Sequence, residues 1–194
     1  MLIFWDEGLV FLATPKAGST AVEMALESLA SAALLRPAAL KHTSIGSYAR
    51  HVGPWLSAQT GRSFTTVALM REPVDWLRSW YRFKLRDDQD EPFQSPEMAS
   101  FPDFAARYAA PEGPGQLGIG SQRAFLVDGG ARVDRIFRYE DMDQFVEFLE
   151  NRLDCAIELP RINVPPSVDV HLESEAEARL RLCLAEDLAL YSSL

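Results

Sequence analysis

The sequence predicts an α/β protein, a three-layer sandwich whose central sheet is mainly parallel. Three observations carry that expectation. Leu9–Ala13 is a short unbroken apolar run, and Phe64–Met70 (Phe-Thr-Thr-Val-Ala-Leu-Met) is a second, β-branched one, as in strands covered on both faces. The first runs into a Gly-containing turn and the second into Arg71-Glu72-Pro73, and a helical pattern opens after each. Strands then alternate with helices along the chain, which is the pattern of helices packed on a parallel sheet.

In chain order, Leu2–Trp5 and Leu9–Ala13 flank Asp6-Glu7-Gly8, so a hairpin is expected to enter the first buried strand. Ala21–Leu35 places Val22, Ala25, Leu26, Leu29 and Ala33 at helical spacing, and Pro37 ends the run. Residues 38–63 read as a loop with a short helix. After Phe64–Met70, Pro73 is well placed in the first turn of a helix, where its missing N–H costs nothing. Trp76, Leu77, Trp80 and Tyr81 share one face of that helix, which is expected to be core. Residues 87–120 carry an acidic run, several prolines and four glycines, and read as a lid or substrate loop. Ser121–Leu126 looks helical, Arg135–Phe137 strand-like, and Met142–Leu153 is an amphipathic helix. A Pro-rich connector, Arg161–Val168, leads to a last helix over Ser174–Leu190.

The 194 residues are 47% hydrophobic and 24% charged, which suits one globular domain and excludes a disordered or fibrous chain. No run reaches the length of a membrane span. Met1–Trp5 meets Asp6-Glu7 without a basic leader and makes a poor signal peptide, so a soluble, cytoplasmic protein is expected. The formal net charge of −9 lies entirely in residues 140–194, while residues 1–139 are neutral. A basic footprint for nucleic acid is absent, although a small anion could bind within the neutral part. Cys155 and Cys183 have no CxxC partner; they read as core residues, and no metal site is expected.

The strongest chemical signal is Phe11-Leu12-Ala13-Thr14-Pro15-Lys16-Ala17-Gly18-Ser19-Thr20. A strand passing through a tight glycine turn into a helix points backbone N–H groups, Ala17 and Gly18 included, and the positive helix end at one spot. Lys16 adds a full charge, and Ser19 and Thr20 add hydroxyls. The product is a cradle for a phosphate or sulfate group. It is not a Walker A loop, because Lys16 precedes Gly18 instead of following it. A second signal is Arg71 at the end of its strand with Ser79 in the helix beyond. The carboxyl edge of a sheet is where open α/β folds bind ligands, and a guanidinium fork suits a phosphate.

Together, Pro-Lys-x-Gly-Ser-Thr and the later strand–Arg-Glu-Pro–helix–Ser resemble the sulfotransferase superfamily. Arg138-Tyr139-Glu140-Asp141-Met142 looks like that family's strand-end Tyr-Glu-Asp element. Leu159-Pro160-Arg161-Ile162-Asn163 is similar to the Pro-x-x-Asn connector of its carbohydrate-type branch. The resemblance runs in order along nearly the whole chain, with the first two segments the specific ones. The Arg-Lys-Gly motif of the cytosolic small-molecule branch is missing. The resemblance implies a P-loop NTPase-like sulfotransferase fold as a single domain over 1–194, with 87–120 shaping the acceptor site. It implies 3′-phosphoadenosine 5′-phosphosulfate (PAPS) as donor and no metal. Lys16, Ala17, Gly18, Ser19 and Thr20 would grip the 5′-phosphosulfate, Arg71 and Ser79 the 3′-phosphate, with Tyr139 beside them. The family places a base after the first helix, where His42 stands, and His suits proton transfer near neutral pH. Glu23, one turn beyond Thr20, is the other candidate base. Gln122 could touch nucleotide or acceptor, and Arg78, Arg82, Lys84 and Arg86 form a solvated face or an acceptor patch. The acceptor would be a small molecule or carbohydrate, without nucleic acid or membrane as partner. Two other classes share the cradle: a P-loop-like nucleotide kinase or phosphotransferase, and a non-catalytic nucleotide-binding protein.

Overall fold

Leu2–Phe4 (β1) and Leu9–Leu12 (β2) pair antiparallel around the acidic turn, with Leu2 opposite Phe11 and Phe4 opposite Leu9. In the computed structural model, which describes residues 1–85, 100–162 and 168–194, every residue of both strands is buried. Then follow Ser19–Leu26 (α1), Ala32–Ala33 (β3), Ala38–Lys41 (α2), Ile45–Ser47 (α3), Gly53–Thr60 (α4), Thr65–Met70 (β4) and Pro73–Lys84 (α5). Phe101–Tyr108 (α6), Gly113–Leu117 (α7) and Gln122–Leu126 (α8) precede a small hairpin of Val127–Asp128 (β5) and Ala131–Arg132 (β6). Arg135–Arg138 (β7), Met142–Leu153 (α9), Ser174–Cys183 (α10) and Ala185–Ser192 (α11) follow, and short helical turns at Glu27–Leu29, Tyr48–Val52 and Tyr139–Asp141 lie between elements.

By contact, the chain divides into two compact units: residues 1–71 with 122–162 and 194, and residues 72–121 with 163–193. The first holds a five-stranded sheet in the order β3-β1-β2-β4-β7. β2, β4 and β7 run parallel, whereas β1 pairs antiparallel with both β2 and β3. The sheet is therefore mixed, with β3, β2, β4 and β7 sharing one direction and β1 running against them. The hairpin turn at Asp6-Glu7-Gly8 is too short for the crossover that a parallel pairing of β1 and β2 would require. Leu2, Phe4, Leu9, Phe11, Val67 and Leu69 share one face and pack with Val22 and Leu26 of α1 and Phe145 and Leu149 of α9. Ile3, Val10, Leu12, Ala68 and Met70 alternate with them and are also buried, so both faces are covered. That explains why β2 and β4 read as continuous apolar runs. Asp134, at the entry to β7, accepts from the Thr66 amide and hydroxyl at 2.7 Å each and pins β7 beside β4.

The helix expected over 21–35 stops at Leu26, and Ala30 turns extended (φ −74°, ψ 135°). Ala32 and Ala33 pair instead with Ile3 and Leu2, because an unpaired edge of β1 offers their backbone groups partners. Residues 38–60 are more helical than a loop with one short helix. The last helix is two, with Leu184 (ψ 13°) between them.

The second unit is helical. Trp76, Leu77 and Tyr81 of α5 are buried as expected, with Phe101, Phe104 and Tyr108 of α6 and Leu180 of α10 in one cluster that also packs Trp80. Tyr81 lies 5.6 and 5.5 Å from the Phe101 and Phe104 rings. The described part of 87–120 is thus core-forming helix and not open loop. Phe101, Phe104 and Tyr108 recur at i, i+3 and i+7, and the Ser100 hydroxyl caps α6 by accepting from the Asp103 amide. Residues 87–99 of that loop lie outside the described residues, as do Arg86 and Asn163. Cys155 is half-buried and Cys183 exposed, so neither belongs to the core; Leu180 and Leu184 take the inward positions around Cys183. Among the described residues no helix is long and apolar enough to cross a membrane.

Candidate functional site

The loop after β2 is shaped by two left-handed residues, Lys16 (φ 61°) and Gly18 (φ 77°), on either side of Ala17. A positive φ is uncommon for lysine and tends to be kept where surrounding structure dictates it. Gly18 is the N-cap of α1, and the Ala21 amide donates to its carbonyl at 3.0 Å. Having no side chain, it leaves the first-turn N–H groups uncapped from its own position. It must also stay small, since a Cβ there would lie 2.8 Å from Cε2 of Tyr139. Ala17 and Ser19 are buried, and Lys16 and Thr20 are half-buried at the surface of the turn. Thr14 is buried with no hydrogen-bond partner for its Oγ1.

Arg71 leaves β4 toward this loop. Its Nη1 donates to the Lys16 carbonyl at 3.5 Å, and its guanidinium carbon stands 4.8 Å from the centre of the Tyr139 ring. The ring therefore carries Arg71 on one side and abuts Gly18, joining three expected site residues. Gln122, 1% exposed, bonds the backbone of Arg71 and is turned away from solvent. Both of its carboxamide bonds go to the Arg71 peptide.

His42 follows α2, and its Nδ1 lies 2.6 Å from the Ala13 carbonyl. An acceptor at that distance selects the Nδ1–H tautomer and leaves Nε2 with the basic lone pair. Burial, the largest influence, holds the His42 pKa below its usual value against the opposing effect of the Ala13 bond. The ring is thus mainly neutral at pH 7, the form a base requires. Glu23, 4% exposed, is differently placed. Its Oε2 is 2.8 Å from Lys41 Nζ and its Oε1 3.6 Å from the Met1 amino group. Lys41 Nζ also donates to Thr20 Oγ1 at 3.4 Å. Glu23 is thus ion-paired on one oxygen with Lys41, while its buried Oε1 has no hydrogen-bond partner.

Lys41 is the residue to which the sequence pointed no role. Its adjacency to His42 was legible, but its approach to Thr20 depends on α2 folding back beside α1. Ser79 sits half-buried in the second turn of α5, in the second unit. Arg78 is engaged structurally, with Nε donating to the Val170 carbonyl at 3.4 Å and Nη2 4.0 Å from Glu177. No family model, curated protein or solved structure matches the chain. The site therefore has to be read from its own geometry.

Proposed function

We propose that the chain is a sulfotransferase that moves a sulfuryl group from PAPS to a hydroxyl or amine of a small-molecule or carbohydrate acceptor, on a P-loop-like sulfotransferase fold. The observation that supports it most is the convergence of Lys16, Arg71 and the α1 N-terminus on one left-handed turn, with His42 anchored to the strand end that feeds it. That set offers cations and N–H donors to an anion and a neutral imidazole to a nucleophile. The buried Thr14 hydroxyl, without a hydrogen-bond partner and two residues before Lys16, is in keeping with a bound phosphate- or sulfate-like group.

The donor supplies an activated sulfuryl group. The chain's part is positional and electrostatic, as in phosphoryl transfer. His42 Nε2 takes the acceptor's proton as the acceptor oxygen or nitrogen bonds to sulfur and the bond from sulfur to the bridging phosphate oxygen breaks. Lys16 and the loop N–H groups hold the charge gathering on the leaving phosphate and sulfuryl oxygens. Calorimetry with 3′,5′-adenosine bisphosphate and with ATP–Mg²⁺, followed by an acceptor screen with labelled donor, tests the proposal. Binding of the bisphosphate with turnover supports it. Tight ATP–Mg²⁺ binding without bisphosphate binding replaces it with a phosphotransferase, and bisphosphate binding without any turnover replaces it with a nucleotide-binding protein.

A further inference from the structure

We infer that Gln122 is a positioning residue for the anion site: its carboxamide grips the Arg71 peptide and thereby aims the Arg71 guanidinium across Tyr139 at the Lys16 carbonyl. The last paired residue of β4 is Met70, opposite Arg138 of β7, so Arg71 lies one step past the ladder. There the backbone groups of a strand end need a substitute partner or water. Gln122 provides it twice over. Its Oε1 accepts from the Arg71 amide at 2.9 Å, and its Nε2 donates to the Arg71 carbonyl at 2.8 Å. Only one orientation of the carboxamide satisfies both, and the pair reproduces the two bonds a neighbouring strand would have made.

The grip has consequences farther out. Arg71 is on a long side chain with many rotamers, yet the site needs its charge within a fraction of an ångström of one place. Among its anchor points are the backbone that Gln122 holds, the Tyr139 ring 4.8 Å away and the Lys16 carbonyl at 3.5 Å. Gln122 is 1% exposed and both of its carboxamide bonds go to the Arg71 backbone, so its effect passes through Arg71. The functional part of this inference rests on the proposed anion role of Arg71, and the experiment separates the two.

The first readout needs no ligand. In the labelled full chain, the Arg71 Cδ–H and Nε–H resonances should be displaced upfield by the Tyr139 ring current, an effect identified by its loss in Tyr139→Leu. Gln122→Met, close in volume, should abolish the displacement. Gln122→Glu should abolish it while ionised and restore it on acidification, because a protonated carboxyl again donates to the Arg71 carbonyl. A parental displacement in Gln122→Met overturns the inference; if that variant does not fold, the absence of an acid-restored displacement in Gln122→Glu overturns it. The second readout is affinity for 3′,5′-adenosine bisphosphate. Gln122→Met should weaken it roughly tenfold, the order by which an outer-shell hydrogen-bond partner supports a binding group, and should cost nothing further in an Arg71→Ala background. An undiminished loss in that background shows that Gln122 does not act through Arg71. A parent that binds no bisphosphate, with the ring-current effect still lost in Gln122→Met, supports the positioning of Arg71 and removes the proposed function alone.

Discussion

Replacing Glu23 by Gln should destabilise the fold more than it impairs any chemistry. Glu23 Oε2 and Lys41 Nζ are 2.8 Å apart, with side-chain exposures of 5% and 20%. At that distance and an effective dielectric near 20, the gross attraction is about 6 kcal/mol. Much of it offsets the desolvation of the two ions. Removing one partner of a buried pair leaves the other charge uncompensated and costs about 3–5 kcal/mol. Lys41 keeps some contact with water, and the amide retains one acceptor, so about 3 kcal/mol is expected. For a chain of this size that is a fall in melting temperature of roughly 6–12 °C. Circular dichroism melts of the parent, Glu23→Gln, Lys41→Met and the double variant measure it. The double variant should be less destabilised than the two singles together, because neither charge is left orphaned. A Glu23→Gln protein that melts with the parent, or strict additivity, would refute the buried-pair argument. Loss of turnover in Glu23→Gln without any loss of stability would instead return Glu23 to the role of base.

The other expectations are more local. Arg71→Ala should weaken 3′,5′-adenosine bisphosphate binding by about 2 kcal/mol, the worth of a charged hydrogen-bonding partner, while leaving the melting curve near parental; equal calorimetric affinities would remove Arg71 from the site. His42→Gln should lower turnover by about 10²–10⁴ and abolish the acid limb of the pH–rate profile, which in the parent should rise through a pKa below the ordinary histidine value of about 6.5. Because burial depresses that pKa in the folded chain, unfolded His42 binds its proton first on acidification. The His42 contribution to stability is therefore full above the ordinary value and is lost as pH falls through the depressed one. Urea titrations across that window should be flatter for His42→Gln than for the parent. Gly18→Ala should cost about 2 kcal/mol from the left-handed backbone alone, and the Tyr139 contact at 2.8 Å adds to it; a parental melt would show that the turn is not held as described.

Local order was written into this chain plainly. The hairpin of β1 and β2, the strand Thr65–Met70, the start of α5 at Pro73 and the span of α9 all follow from neighbouring residues, through apolar alternation, turn glycines and helical spacing. A tight turn at Gly18 was legible too, from a glycine between a buried strand and a helix, whereas the left-handed backbone of Lys16 was not. Composition misled where it outweighed periodicity: glycines and prolines made residues 100–120 look open, although Phe101, Phe104 and Tyr108 had the spacing of a buried face. Tertiary structure alone decided the recruitment of Ala32–Ala33 as an edge strand and the partners of the site's polar groups. Arg71 meets Gln122, 51 residues on, and Glu23 meets Lys41 because desolvated donors and charges must find partners wherever the chain brings them. Helical and strand periodicity reports which face of a segment is apolar. It carries no term for which buried donor, acceptor or charge will be left over once the faces close, and that remainder is what built the site.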